Sequence, residues 1–360
     1  MNLKFLPIFL LAFSPGTYAE VSNSFQIGTE YDSNAFKTFG FPKKDSVLRT
    51  LFKSQSRYAL SENWEWGWNF QMGGKKYFRS TAKDLFIQYV EFPSVWTSSS
   101  KIRIYMTPDF KYQNEDNTIE TLDPSLPPDA NEDFYSPSAK LEIQVPLSDS
   151  FSVSPIGQYT FFKFIPDPTF SYHLEKGGIS FKNQWSENWM TAVAYNYSRQ
   201  QFLAGAREDR VQEGSIWFQF SGLPYGSLRY TYQNSDSSQP QFSYTNHRIT
   251  GLLSIPFGQK TGDGEFFDPE TAGGRFVFHI LGTLQIKRFP SVFGSTFEGR
   301  RLLLTEAEDE NFNSLLLKLT YHPTQNFAIE AKWNRYSNEL SSQPTDFTRN
   351  LVYGGIRYKF

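Results

Sequence analysis

The chain contains no cysteine. That absence excludes disulfides, thiolate metal sites, cysteine nucleophiles and a lipid-anchored N-terminal cysteine. Histidine is scarce too, with 4 in 360 residues. His173, His247, His279 and His322 are not spaced as metal ligands, and no glycine-rich phosphate cradle accompanies them. Beyond the N-terminus, no apolar run approaches the ~20 residues that a membrane-crossing helix needs. The mean hydropathy of -0.49 agrees. Neither sign of charge dominates: the formal net charge is -2, which gives nucleic acid no footing as a partner. No cofactor or metal is expected. What the chain has in abundance is rings: 36 Phe, 20 Tyr and 8 Trp make up 18% of it. A water-soluble protein would have to bury most of them, whereas a protein facing lipid would display them.

The opening stretch, MNLKFLPIFLLAFSPGTYAE, carries a positive charge at Lys4 and a short apolar core from Phe5 to Phe13. Thr17, Tyr18 and Ala19 follow at the usual cleavage spacing. A secretory signal peptide over 1–19 is therefore expected, leaving 20–360 as one domain.

Alternation runs through that remainder. Trp64, Trp66, Trp68, Phe70 and Met72 alternate with Glu65, Gly67, Asn69 and Gln71. Leu141, Ile143 and Val145 alternate with Lys140, Glu142 and Gln144, and Phe327, Ile329, Ala331 and Trp333 with Ala328, Glu330 and Lys332. Such segments have the length of a tilted strand crossing a bilayer. Their connectors come in two kinds that take turns. LSENW (60–64), LSDSF (147–151), WSENW (185–189) and HPTQNF (322–327) are tight turns flanked by rings. Between them lie longer polar links at 32–45, 113–134, 200–208, 235–242 and 338–348. A secreted sandwich or propeller would explain the alternation, but not the two alternating kinds of connector or the aromatic faces.

The last ten residues, LVYGGIRYKF, place Val352, Gly354, Ile356, Tyr358 and Phe360 on one face and Leu351, Tyr353, Gly355, Arg357 and Lys359 on the other. Together with the ladder and the leader, this end resembles the bacterial outer-membrane β-barrels. In that family the last strand ends in an aromatic residue, usually Phe, preceded by apolar or aromatic residues at every second position. GGIRYKF matches at Ile356, Tyr358 and Phe360. The resemblance implies that the barrel-assembly machinery reads these three residues. It also implies a barrel set in outer-membrane lipid and lipopolysaccharide, whose last strand closes on the first, SFQIGTEY at 24–31. Closure is required in any case, because an open sheet edge in lipid leaves backbone groups unpaired. The expected fold is all-β: an antiparallel up-and-down transmembrane barrel with short periplasmic turns and long extracellular loops. About sixteen strands are expected, with fourteen or eighteen open, because the long link at 256–275 and the stretch 289–312 blur the count. Both termini then lie on the periplasmic side. TEYDSNAFKT (29–38) is similar to barrels of exopolysaccharide-export and surface-assembly loci, although Asp32-Ser33-Asn34 is also an ordinary turn former.

If the apolar faces meet lipid, the alternate faces line an interior. SVLRTLFKSQSRY puts Arg49, Lys53 and Arg57 on one face, and three cations on one strand belong in water. They are expected to form a basic ladder on a pore wall; the plainer reading is that they neutralise acids there. The link at 113–134 holds Glu115, Asp116, Glu120, Asp123, Asp129, Glu132 and Asp133, with no Lys or Arg. In general porins the loop at this place in the strand order folds inward against a basic wall. The alternative is an outward acidic loop with weak Ca²⁺ affinity. No His-Ser or His-Asp signature supports an enzyme. The expected function is passive diffusion of small hydrophilic solutes through a porin-like channel. Export of polysaccharide or surface components, or a structural barrel with an occluded lumen, stand as alternatives.

Overall fold

The computed structural model of the chain describes residues 19–35, 43–79, 84–116, 133–165, 171–203, 207–240, 243–258, 275–288, 313–338 and 347–360. All of the leader expected over 1–19 except Ala19, and much of the long links, lie outside them. Among the described residues every regular element is a strand. In chain order these are β1 (Ala19–Asp32), β2 (Asp45–Ser61), β3 (Trp64–Tyr77), β4 (Asp84–Glu91), β5 (Ser94–Thr97) and β6 (Arg103–Asp116). Next come β7 (Phe134–Pro146), β8 (Phe151–Phe164), β9 (Tyr172–Gln184), β10 (Trp189–Phe202), β11 (Glu208–Phe220) and β12 (Tyr225–Ser237). The chain finishes with β13 (Tyr244–Phe257), β14 (Phe276–Arg288), β15 (Asn313–Tyr321), β16 (Phe327–Asn338) and β17 (Phe347–Lys359).

All neighbours pair antiparallel, and β17 returns to β1, which closes the sheet. β4 and β5 form a single crossing. Glu91 faces Asn69 and Ser94 faces Trp66 without a slip of register on β3. Between them Pro93 accepts a bond from the Gly67 amide at 2.9 Å but has no N–H to give, so the ladder skips one bond there. The barrel is therefore sixteen-stranded. One end carries the tight turns that begin at Ser61, Thr97, Leu147, Trp185, Ser221 and His322, together with both ends of the paired sheet. The link between β13 and β14 also lies at that end and is long, as its sequence suggests.

Each strand shows two unlike faces. On β17, Val352, Ile356, Tyr358 and Phe360 are 50%, 44%, 50% and 60% exposed, whereas Leu351 and Tyr353 on the alternate face are buried. The exposed rings form two belts. Near the tight turns, Trp66 stacks with Phe92 (6.2 Å), Trp189 meets Phe220 (4.8 Å) and Phe276 stacks on Phe257 (5.3 Å) and Tyr321 (4.7 Å). Towards the other end, Phe161 stacks on His173 at 4.9 Å and Tyr232 meets His247 at a tilt at 5.0 Å. From Phe151 to Phe161 a strand tilted by about 40–45° climbs roughly 25 Å, the height of the apolar band of a transmembrane barrel.

One boundary moves. The acidic link begins later than its composition suggests, because β6 keeps its ladder through Glu115 and Asp116, opposite Leu85 and Asp84. Gln113 lies fully buried within that strand. Glu120 and Asp123 lie outside the described residues.

The two ends of the barrel can be told apart on intact cells, and the absence of native cysteine makes the test clean. Leu203→Cys, beyond the top of β10, should react with a membrane-impermeant maleimide, whereas Glu187→Cys in the tight turn after β9 should react only after the cells are opened. Labelling of position 187 on sealed cells would invert the topology.

Candidate functional site

The inward face is a layer of charges organised by a few acids. Arg49, Lys53 and Arg57 stand opposite Gly28, Ser24 and Glu20 of β1, on the inward side. The rungs differ. Arg49 donates to Glu30 Oε2 at 2.6 Å, and Lys75 of β3 approaches Glu30 Oε1 at 3.6 Å. Arg57 is 70% exposed and meets Glu65 at 4.0 Å. The top of the ladder thus binds a wall acid, and its bottom rung stands in water.

A second knot spans the seam between the last strands and the first. Glu330 is 1% exposed and lies 3.4–3.5 Å from the cationic nitrogens of Lys318, Lys332 and Arg357. Gln26 Nε2 donates to Glu330 at 2.7 Å and to the Tyr353 hydroxyl at 3.0 Å. The Tyr353 ring lies flat over two glycines. A Cβ on Gly28 would come within 2.5 Å of the ring, and one on Gly355 within 2.1 Å of its hydroxyl. Lys332 sits 4.8 Å from the ring centre, which favours a cation over the π face.

At the rim, Arg349 and Asp32 form a buried two-pronged pair, Nε to Oδ1 at 3.0 Å and Nη2 to Oδ2 at 2.6 Å. Asp32 also accepts the Asn34 amide at 2.9 Å, and the Ser33 hydroxyl accepts the Asn350 amide at 2.7 Å. The Tyr-Asp-Ser-Asn segment therefore clasps the first strand to the last. Its partner, Arg349, is too distant in sequence to be found by pattern.

The wall half-way round the ring from β2 is also cationic. Glu213 of β11 accepts from Asn196 (3.2 Å) and Gln233 (2.7 Å), with Lys176 at 3.8 Å and Arg229 at 3.9 Å. Glu142 of β7 gathers Lys140 at 3.1 Å and Lys182 at 3.4 Å. Each of these acids has more cations around it than it can neutralise.

Among the described residues the four histidines are not set beside an accessible nucleophile. His279 does meet a serine, Ser254 Oγ at 2.8 Å, but Ser254 is 0% exposed and offers no room for a substrate. His173 and His247 pair with Tyr159 and Tyr230 on the outer surface, and His322 is buried in a turn. Among the described residues no group of three or more His, Asp or Glu could hold a metal.

The closed sheet, its exposed apolar band and its charged interior define an integral outer-membrane β-barrel. Its architecture is that of the porins. Among solved structures it is similar to an anion-selective porin from Comamonas acidovorans (10% identity, 96% of this chain and 100% of that one, TM-score 0.52). It is also similar to OmpF of Salmonella typhi, solved with daunomycin (10% identity, 96% and 98% of the two chains, TM-score 0.51). CdiB from Acinetobacter baumannii is similar over 94% of this chain and 60% of its own (9% identity, TM-score 0.50). No family model matches the chain, and no curated sequence does.

The rim clasp has a measurable weight. Asp32→Asn leaves Arg349 buried without its counter-charge, which should cost about 3–5 kcal/mol. The folded band on an unheated gel should then be lost at a lower temperature than in the wild type. Replacing both residues by apolar ones, Asp32→Leu with Arg349→Met, should restore part of the loss. A double variant as labile as the single one would refute the ion pair as the cause.

Proposed function

We propose that the barrel is a channel through which small hydrophilic solutes diffuse, with wall charge setting its preference. The observation that carries this is the cationic lining of two facing walls, the ladder of β2 on one side and the Lys176, Arg229 and Lys182 group on the other. With a Debye length of ~10 Å at 0.1 M salt, a permeating ion in a pore of similar radius would feel such walls. Arg49, Lys53 and Arg57 are proposed as pore-lining. Glu115, Asp116, Glu120 and Asp123 are proposed as an opposing acidic group that tempers the anion preference. No chemical reaction is proposed.

A second reading has one observation in its favour. Phe134, Phe162 and Tyr172, on the inward faces of β7, β8 and β9, are 1%, 3% and 8% exposed. Rings buried inside the barrel suit a lumen that is occluded at that level, as export of polysaccharide or surface components would require. We also propose a signal peptide over 1–19. Ile356, Tyr358 and Phe360 are proposed as the residues read by the assembly machinery, which their position on the lipid face beside the seam supports.

Reconstitution in planar bilayers separates the readings. An open channel should conduct KCl, with a reversal potential on the anion side. Converting Arg49, Lys53 and Arg57 together to Gln should move it towards cations, and Glu115→Gln with Asp116→Asn and Glu120→Gln should move it the other way. A reversal potential that ignores both sets would place these charges outside the path. A silent barrel would favour export. Phe360→Asp should fail to reach the outer membrane; normal insertion of that variant would overturn the assembly reading.

A further inference from the structure

All eight tryptophans lie among the described residues. Trp64, Trp66, Trp68, Trp96, Trp189 and Trp333 point outwards from their strands, and Trp185 is 70% exposed in a turn. Trp217 alone takes the inward face. Its neighbours on β11 fix this, because Phe218 is 43% exposed to the outside and Phe220 meets Trp189 at 4.8 Å there.

The surroundings of Trp217 are not those of a packed core ring. The ladder sets Arg229 directly opposite it on β12 and Ala192 opposite it on β10, with Lys182 of β9 next in the same row. Directly opposed side chains stand about 4.5–5.5 Å apart at Cβ. Ala192, with its single methyl, is itself covered, and Trp217 beside it is only partly buried on the inward face. Arg229 is 48% exposed and Lys182 32%, so both heads reach the lumen. Glu213, on the same strand as Trp217, pairs with Arg229 at 3.9 Å, and Glu142 of β7 with Lys182 at 3.4 Å.

We infer that Trp217, Arg229 and Lys182 form a binding site for an acidic sugar, a pyranose that carries a carboxylate or phosphate. The apolar C–H face of a pyranose packs on an indole, and its anion takes hydrogen bonds from the flanking guanidinium and ammonium. A core indole would need no cations on either side, and a simple anion filter would need no ring. The inference rests on the lumen being a path for solutes and names one class of solute for it.

The test uses the full-length barrel in planar bilayers, with trigalacturonate, maltotriose and inorganic phosphate as probes. Trigalacturonate should halve the current at a concentration at least about tenfold below that of either control. Trp217→Ala and Arg229→Gln should each raise that concentration about tenfold, the loss of one good contact, while the KCl conductance of Trp217→Ala, which removes no charge, stays near wild type. Fluorescence of the detergent-solubilised barrel gives a second readout: trigalacturonate should change the emission of the wild type but not of Trp217→Phe. A conducting barrel blocked equally by the neutral trimer or by phosphate would overturn the site and leave the channel intact. So would one whose block is unchanged in both variants. A barrel silent in bilayers whose wild-type emission alone responds would overturn the channel and keep the site.

Discussion

Everything in this molecule depends on pairing the first strand with the last. In hydrocarbon an unpaired backbone N–H or C=O has no water to turn to, so a sheet can cross only if it has no edge. β1 and β17 meet that demand along their whole overlap. Asn23 and Phe360 exchange both backbone bonds at one end, and Ser33 donates to the Asn350 carbonyl at the other. The side chains concentrate on the same line. Asp32 and Arg349 clasp the rim, Tyr353 covers Gly28 and Gly355, and Glu330 draws cations from three strands beside the seam.

Closure then dictates where charge can go. With the outer face given to lipid, each alternate residue is forced inwards, and the interior takes the ion pairs gathered by Glu30, Glu142, Glu213 and Glu330. Arg199, Glu208 and Arg210 pair on the outer face near the upper end of β10. Buried charges are tolerable when each is bonded several times over, and the four acid hubs at Glu30, Glu142, Glu213 and Glu330 do this. They hold long cationic side chains against the wall instead of letting them sweep the lumen. That pre-ordering gives the wall a fixed field, the property on which selectivity in a diffusion pore depends. The same device fixes a guanidinium beside Trp217, so that an inward aromatic becomes a recognition surface.

Much of the architecture was legible in the sequence because the period of a strand is two and lipid demands a strict alternation. The faces of LVYGGIRYKF, the two kinds of connector and the count of about sixteen all follow from local pattern. Two details did not follow. Pro93 splits one crossing into β4 and β5, since a proline interrupts the ladder without interrupting the period. Gln113 to Asp116 read as loop by composition, yet they continue β6, because a polar run can pair as well as an apolar one when its neighbours β4 and β7 supply the ladder.

The sequence by itself determined the element type, the facing of each side chain and the membrane setting, all of which are properties of residues near one another in the chain. Tertiary structure alone decided which charges meet. Arg49 was readable as an inward cation, but its bond to Glu30, the Asp32–Arg349 clasp and the row of Lys182, Ala192, Trp217 and Arg229 exist only once the register of sixteen strands is set. Trp217 has the same chemistry as the belt tryptophans, and one step of the pleat separates a ring that anchors in lipid from one that faces the lumen. The reason is geometric: alternation assigns a residue to a face, whereas the shear of a closed barrel assigns it neighbours.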